Sequence, residues 1–253
     1  MNANKLRTIR KSFWVAAILF GALHAWAARH AMNPDGISYL DLADAFRHHD
    51  WNLAFNLYWS PLYSILLAGG LALLSPSPYW EFPVVHLVNF VIFLFSLVCF
   101  EFFLREMIRF TARGRLLEPP AIGTLQLFWY LLAYPLFIWS SLYMTTMALV
   151  TPDMLVAGLI YFNAALLLRA CRRPDDWLTY AALGAVLGIG YWAKAVMFLV
   201  ALVFLGITFV QTRPWRRSAL RAAVAVFAFI LIASPLLWKL TSVRAHLTLG
   251  ETG

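Results

Sequence analysis

The sequence predicts an all-α, polytopic membrane protein, a single membrane domain over 1–253 with about seven transmembrane helices. Of its 253 residues, 62% are hydrophobic and only 13% are charged, whereas an ordinary soluble domain is about half apolar and about a quarter charged. Apolar runs of about 20 residues, the length that a helix needs to cross the hydrocarbon, recur along the chain. Helices are expected because backbone groups in lipid must be satisfied internally.

Seven apolar segments are the candidate transmembrane helices. The first follows a short basic stretch, 5–11, in the manner of a signal peptide, but the rest of the chain is equally apolar, so we expect a retained first span. An additional apolar stretch, 61–75, lies between Pro61 and a Ser-Pro-Ser-Pro sequence, and its length does not decide whether it crosses. The seven segments are, in chain order, 12–31, 83–104, 121–142, 152–169, 177–193, 195–211 and 218–239.

The distribution of basic residues predicts the topology. If 61–75 does not cross, 15 of the 20 Lys and Arg residues fall on the side of the N-terminus; if it crosses, only seven do. Cytoplasmic loops are rich in Lys and Arg, which favours a stretch that lies at, or dips into, the outer leaflet. We therefore expect 32–60 and 143–153 to face the periplasm of a bacterial inner membrane, and 105–118 and 211–217 to face the cytoplasm together with the N-terminus.

The formal net charge of +8 comes from short basic clusters between apolar segments, and no nucleic-acid-binding pattern appears. Membrane lipids are therefore the expected partners, and nucleic acid is not. The two cysteines, Cys99 and Cys171, have no partner motif, which argues against a structural disulfide or a metal site. No Asp, Glu, Lys or Arg lies at the middle of a predicted span, although ion-coupled transporters usually need one there.

The first outer loop, 32–60, is the largest polar segment outside the predicted spans. Apolar residues recur within it at helical spacing, which predicts amphipathic helical structure along the membrane surface. Trp59 and, just beyond the loop, Tyr63 are of the type that anchors a chain at the membrane interface. The charged and histidine residues of the loop are Asp35, Asp41, Asp44, Arg47, His48, His49 and Asp50.

Three charged residues on the predicted outer side are candidates for chemistry, and each also has a structural interpretation. Asp35 lies in a Pro-Asp-Gly sequence, which suits a tight turn. Asp153 follows Thr151 and Pro152, a combination that suits a helix start with threonine as the N-cap. Lys194 lies between two short spans, where it either extends toward water or offers a cation to a phosphate.

The segment 34–43, PDGISYLDLA, resembles the first periplasmic loop of the GT-C superfamily. These proteins are polytopic glycosyltransferases that use lipid-phosphate-linked sugars. The likeness is to the bacterial branch that contains the aminoarabinose transferases and the protein-mannosyltransferase-like proteins. In that branch an Asp just after the first span is followed four residues later by Tyr and then by an Ala-containing amphipathic helix. Asp35, Tyr39 and Ala43 match that spacing.

Three later segments extend the resemblance in chain order. The sequence YWSPLY at 58–63 occupies the place of a Pro-Pro-Leu-Tyr stretch, but Trp59 and Ser60 replace a Lys-Pro pair, so the role of that lysine is not carried over. The sequence TPDML at 151–155 resembles a second acidic site at the start of a later span. The sequence YWAK at 191–194 resembles a Thr-Lys-Gly segment without its Thr and Gly. Gly36 stands where many members carry a second acid, so a role for two adjacent carboxylates is not carried over.

The resemblance implies transfer of a sugar from a polyprenyl-phosphate donor to an acceptor on the outer face of the membrane. A carboxylate would accept the proton of the acceptor hydroxyl or hold a divalent metal, Mg²⁺ or Mn²⁺, and a cation would stabilise the leaving phosphate. Family members carry further spans, so we expect an N-terminal fragment or a reduced homologue. The candidate residues are Asp35 and Asp153 for catalysis or metal binding, and Lys194, Tyr39, Trp59, Tyr63, Arg47 and His48 for substrate binding.

Two other classes of function remain open at the level of sequence. One is a non-catalytic membrane subunit of the same fold, and the other is a transporter or flippase of a lipid-linked substrate. Convergence of Asp35, Asp153 and Lys194 on one outward cavity would favour the enzyme, whereas a continuous polar groove through the bilayer would favour transport.

Overall fold

The apolar segments fold into helices throughout the computed structural model, which describes residues 3–114, 116–210 and 215–244. No strand occurs in these described ranges. A 3₁₀ turn, Pro78–Trp80, precedes the fifth helix, and a π-helical turn, Ser140–Met144, ends the sixth. The α-helices are α1 (Ala3–Ala27), α2 (Pro34–Arg47), α3 (Trp51–Ala54), α4 (Pro61–Leu74), α5 (Glu81–Gly114), α6 (Pro119–Trp139), α7 (Asp153–Arg172), α8 (Trp177–Ala193), α9 (Met197–Val210) and α10 (Trp215–Arg244).

Within the residues that the structure describes, four helices are long and apolar enough to cross a membrane, which agrees with a multi-pass membrane protein. They comprise Pro78–Gly114, Ala121–Met144, Asp153–Arg172 and Trp215–Ser242. Three further apolar helices, α4, α8 and α9, are shorter. Each of the seven predicted segments overlaps a helix in the described residues, so the all-α fold is confirmed, whereas the count of seven crossings stays a prediction. Residues 211–214 of the predicted cytoplasmic loop 211–217 lie outside the described residues.

The ambiguous apolar stretch forms α4, whose 14 residues extend about 21 Å at 1.5 Å per residue, against about 30 Å of hydrocarbon. Near its start, the hydroxyl of Tyr63 donates a 2.6 Å hydrogen bond to Asn89 Oδ1, in the first third of α5. After its end, a short connection, 75–80, leads back to the first residue of α5. Both ends of α4 therefore lie toward the same end of α5, as expected for a segment that does not cross.

The helices are oriented so that the charged residues collect at two opposite ends of the bundle. We call one the basic end: there Arg169 of α7 binds Asp176 at 3.1 Å, and Arg221 of α10 binds Asp175 at 2.7 Å. We call the other the cleft end, after the small cleft described below. It is the end at which α8 finishes and α7 begins. The remaining arginines that pair at the basic end are Arg10, Arg105, Arg109 and Arg172.

Two glycines allow α8 to pack closely along α10. A Cβ added at Gly184 would lie 1.9 Å from the carbonyl oxygen of Ala225, and one added at Gly188 would lie 2.7 Å from Cβ of Ile232. Small residues four apart allow this close approach between helices in a membrane. The indole of Trp192 donates to the Ile232 carbonyl at 2.8 Å, which fixes the last turn of α8 just before Lys194.

Candidate functional site

A small cleft at the cleft end of the bundle gathers residues from four parts of the chain. Its volume is about 70 Å³, so it has space for a few water-sized groups. The side chains come from the start of α2, the connection before α4, the start of α7 and the end of α8. The lining residues are Asp35, Tyr39, Trp59, Ser60, Thr151, Pro152, Asp153 and Lys194.

The local sequence starts a helix at Asp35 rather than a tight turn, so the turn interpretation of Pro-Asp-Gly is wrong. Pro34 is the first residue of α2 and Asp35 lies in its first turn, where proline suits the backbone and an acidic side chain suits the positive end of the helix dipole. One helical turn later, Tyr39 lines the same cleft. The exposed carboxylate of Asp35 has no hydrogen-bond or ion-pair partner among the described residues.

Asp153 and Lys194 form an ion pair in the cleft. Lys194 Nζ lies 2.9 Å from Asp153 Oδ1, and the side chains are 34% and 44% exposed. The hydroxyl of Thr151 donates to Asp153 Oδ2 at 3.1 Å. The helix begins at Asp153 with Pro152 in the N-cap position, one residue later than the predicted threonine cap. Since both carboxylate oxygens have a partner, Asp153 is well placed to hold the ammonium of Lys194 in position.

Aromatic rings form one wall of the cleft. The ring of Tyr39 makes edge contacts with Trp59 at 4.8 Å and with Tyr63 at 5.0 Å between centroids. Burial raises the pKa of the Tyr39 hydroxyl, and the nearby carboxylates of Asp153 and Asp35 raise that pKa further. The phenol of Tyr39 therefore remains protonated and is available as a hydrogen-bond donor across the physiological pH range.

The loop that delivers Asp153 is fixed by amide side chains from two other helices. Asn89 of α5 donates from Nδ2 to the carbonyls of Met147 and Leu149, both at 3.3 Å. Asn33, just before α2, accepts a 2.8 Å hydrogen bond from the Val150 amide through Oδ1. Because the hydroxyl of Tyr63 donates to Asn89 Oδ1, the aromatic wall and the loop share one hydrogen-bond network.

Gly36 is required by a close approach between α2 and this loop. A Cβ at position 36 would lie 2.7 Å from Cβ of Val150 and 3.0 Å from Asn33 Oδ1. A larger side chain would displace the loop that carries Asp153. An acidic side chain at position 36 therefore has no space in this packing.

Five of the eight predicted site residues meet in the cleft, and three lie elsewhere. Tyr63 is fully buried beneath Tyr39, so it supports the wall and does not reach a substrate. Arg47 and His48 do not line the cleft: Arg47 pairs with Asp44 at 3.0 Å on the exposed face of α2, and His48 Nδ1 is 2.9 Å from the Asp44 carbonyl oxygen. Asp35, Tyr39, Trp59, Asp153 and Lys194 are the five that come together.

Sequence reasoning missed the residues that support the cleft. Ser60 and Thr151 line it, and Asn33 and Asn89 hold its loop. Asn89 gave the clearest available signal, because a polar residue inside an apolar span usually has a partner. The partners themselves depend on which helices are neighbours.

The charges of the cleft bear on metal binding. Two carboxylates, Asp35 and Asp153, and one ammonium, Lys194, give a net charge of −1, which opposes the entry of an anionic phosphate. In the part of the chain that the structure describes, no three His, Cys, Asp or Glu side chains group around a metal position. Mg²⁺, however, is commonly held by one or two carboxylates together with substrate phosphates. The donor set therefore fits a cation that arrives with a phosphate ligand.

No protein-family model, characterised protein sequence or solved structure matches this chain significantly. The chemistry of the cleft is therefore the basis for a functional assignment.

Proposed function

We propose that this protein is an integral membrane glycosyltransferase, or the membrane module of one, that transfers a sugar from a polyprenyl-phosphate donor to an acceptor hydroxyl on the outer face of the membrane. The observation that carries the proposal is the shared cleft of Asp35, Asp153 and Lys194. These residues come from three distant parts of the sequence, and the sequence alone predicts each of them as a site candidate.

Asp35 is the general base of this proposal. Its carboxylate is exposed at the cleft and has no partner among the described residues, so it is free to accept a proton. The acceptor hydroxyl gives its proton to Asp35 while its oxygen bonds to the anomeric carbon of the sugar. The bond from that carbon to the phosphate oxygen breaks, and polyprenyl phosphate leaves with the electron pair.

Lys194 stabilises the departing phosphate. Its ammonium is held 2.9 Å from Asp153 and remains one-third exposed, so it can donate a further hydrogen bond to an anionic oxygen. In the alternative role for Asp35, in which it is a metal ligand and not the base, Asp35 and Asp153 would together hold a divalent cation that enters with the donor. When bound, that cation would neutralise phosphate charge as a Lewis acid.

An apolar cavity at the same end of the bundle suits the lipid part of the donor. Its volume is about 380 Å³, and it lies between the end of α1 and the start of α5. Trp26, Arg29 and Trp80 line it, and the segment that leaves it, 28–33, leads directly to α2. The buried His86 lines the same cavity and contacts the Ala31 carbonyl oxygen at 2.8 Å through Nε2.

The decisive experiment compares Asp35→Asn with Asp41→Asn. Purified protein is incubated with radiolabelled polyprenyl-phosphate sugars and a membrane extract, and labelled product is measured. Because the base is lost, Asp35→Asn lowers turnover by about 10²–10⁴-fold. Asp41 is exposed on the same helix but does not line the cleft, so its variant retains activity. Near-wild-type turnover of Asp35→Asn would defeat the proposal, and a wild-type protein that labels nothing would favour the non-catalytic subunit.

Removing divalent cations distinguishes a metal-binding role of the carboxylates from a role as general base. With a cation-dependent donor site, a chelator abolishes labelling and weakens donor binding, Mg²⁺ restores both, and Asp153→Asn matches Asp35→Asn. Donor binding is measured by native mass spectrometry, so this result does not depend on turnover. Full labelling in excess chelator would exclude a metal-binding role, and Asp35 would then act only as the base.

Lys194→Met tests the phosphate contact. We expect turnover to fall by about 10²-fold, the usual effect of losing one donor to a developing anion. Membrane insertion and thermal stability remain close to wild type because the ion pair is partly exposed. Unchanged turnover would contradict the phosphate contact and would mean that Lys194 only extends toward water.

A further inference from the structure

A second cavity, at the basic end, has the composition of an anion site. It lies between α1 and α5, has a volume of about 390 Å³, and is lined by Arg10, Lys11, Trp14, Val15 and Arg105. This volume lies in the range of small-ligand pockets. Three of the five lining residues are cationic and none is acidic, so the cavity attracts a negatively charged group.

One buried carboxylate, Glu101, positions two of these three cations, Arg10 and Arg105, and does not neutralise the total positive charge. Glu101 has a side chain only 5% exposed, and its Oε1 lies 3.5 Å from Arg10 Nη1 and 2.5 Å from Arg105 Nε. Its Oε2 accepts from the indole of Trp14 at 3.1 Å and from the hydroxyl of Tyr134. All the hydrogen bonds that Glu101 accepts come from these four side chains, so it works as a fixed anchor.

The remaining positive charge has no counterion among the described residues. Arg105 uses Nε for Glu101 and is 44% exposed, so its terminal N–H groups remain available. The exposed ammonium of Lys11 has no hydrogen-bond or ion-pair partner in the described part of the chain. Three cations against one carboxylate leave a net charge of +2 at the cavity.

A shallow, open groove along one face of α1 continues from the cationic cavity, with polar residues at its start and apolar residues beyond Ser12. Its volume is about 480 Å³, and it shares Lys11 and Val15 with the cationic cavity. Farther along α1 it is lined by Leu19 and Phe20, which are 57% and 52% exposed. A charged cavity joined to an apolar groove matches a molecule with an anionic head and a hydrocarbon chain.

We propose that this cavity and groove bind one anionic phospholipid from the leaflet at the basic end. Arg10, Lys11 and Arg105 contact the phosphodiester, and one acyl chain lies along the groove beside Val15 and Leu19. Basic pockets between membrane helices are suited to phospholipid headgroups. The site is independent of the outer cleft and does not rest on the proposed sugar transfer.

Lys11→Gln, with Lys5→Gln as its matched control, tests the site. Both changes remove one positive charge from the same helix, but Lys5 lines neither cavity. Delipidated protein is titrated with dioleoylphosphatidylglycerol, and binding is followed by native mass spectrometry. We expect Lys11→Gln to weaken binding about fivefold and Lys5→Gln to change it by less than about twofold. Equal losses in the two variants would overturn the site in favour of diffuse surface charge.

Three ligands distinguish the sources of the anionic group and the contribution of the chain. The zwitterionic dioleoylphosphatidylcholine binds more weakly than dioleoylphosphatidylglycerol. Inorganic phosphate does not displace dioleoylphosphatidylglycerol. Dihexanoylphosphatidylglycerol also binds more weakly, because its short chains do not fill the groove. Displacement by inorganic phosphate would identify a free-phosphate site, and equal binding of the choline lipid or of the short-chain lipid would overturn the assignment to an anionic phospholipid.

Discussion

The two ends of this bundle use acidic residues in opposite ways. At the basic end, Glu106 is 1% exposed and binds Arg109 at 2.8 Å and Arg172 at 2.5 Å, and Glu101 is similarly enclosed by cations. At the cleft end, Asp35 is exposed with no partner among the described residues. A carboxylate that is buried must be paired to remain charged, whereas an exposed one can remain free for a ligand.

The buried, paired glutamates and the exposed Asp35 are therefore expected to respond differently to substitution. Removing a partner at the basic end leaves a buried charge uncompensated, so the cost falls on stability. Removing Asp35 breaks no hydrogen bond or ion pair in the described structure, so we expect little loss of stability, and under the proposed function the loss is one of sugar transfer. Asp153 lies between these cases, because it is paired yet 44% exposed.

The largest expected effect concerns the sidedness of the two ends. In a Cys171→Ser background, which leaves only the buried Cys99, single cysteines replace Ser38 on α2 and the exposed Arg173 at the end of α7. The basic-residue count predicts that the cleft end faces outward. A membrane-impermeant maleimide added to intact cells should therefore label position 38, and it should label position 173 only after permeabilisation. Labelling of both positions from the same side would contradict the orientation that the basic-residue count predicts.

A smaller but still large effect is expected on stability at the basic end. Glu106→Gln leaves Arg172, whose side chain is 15% exposed, without its ionised partner, and breaking a buried pair costs about 3–5 kcal/mol. The matched control is Asp44→Asn, because Asp44 and Arg47 also form a pair at i,i+3 spacing but Asp44 is 53% exposed. Its loss costs less than about 1 kcal/mol.

The free energy of unfolding in detergent is the measurement for both variants. Equal losses would mean that burial does not distinguish the two ends. Asp35→Asn, measured in the same way, is expected to remain within about 0.5 kcal/mol of wild type.

The helices could be predicted from the sequence, because a long apolar run in lipid has few alternatives to helical structure. The first turn of α2 could not be separated from a tight turn, because Pro34 and Asp35 suit both conformations. The apolar spacing that continues through Tyr39 and Leu42, both buried on one face, is what favours the helix.

The residues of the cleft could be predicted only as separate candidates. Asp35, Asp153 and Lys194 were each visible as charges at the ends of apolar segments, and the count of basic residues placed them on one side. The lack of space for a side chain at Gly36 and the hydrogen-bond partners of Asn89 could not be predicted. Both depend on how closely the loop 145–152 approaches α2 and α5. The sequence offers Arg47 and His48 as substrate-binding candidates in the outer loop, and it does not reveal that the Asp44 carboxylate pairs with Arg47 or that the Asp44 carbonyl oxygen contacts His48.

A loss of stability smaller than that of Glu106→Gln is expected for Asn89→Ala, which tests the hydrogen-bond network behind the cleft. The change leaves the carbonyls of Met147 and Leu149 and the hydroxyl of Tyr63 without their partner, which costs about 1–3 kcal/mol of stability. Asn163→Ala is the matched control, because Asn163 is also buried but, among the described residues, donates only to the Leu159 carbonyl within its own helix.

If Asn89 positions the loop that carries Asp153, its variant also lowers sugar transfer about ten- to a hundredfold, since small displacements of a reacting group have effects of that size. The pH profile of the remaining activity stays that of wild type, because the proposed base, Asp35, is still present. Asn163→Ala loses stability without this loss of turnover. If the two variants lose activity in proportion to their stability, Asn89 supports the fold alone, and the difference between the two ends of the bundle then depends on Asp35, Asp153 and Lys194 without a positioning network behind them.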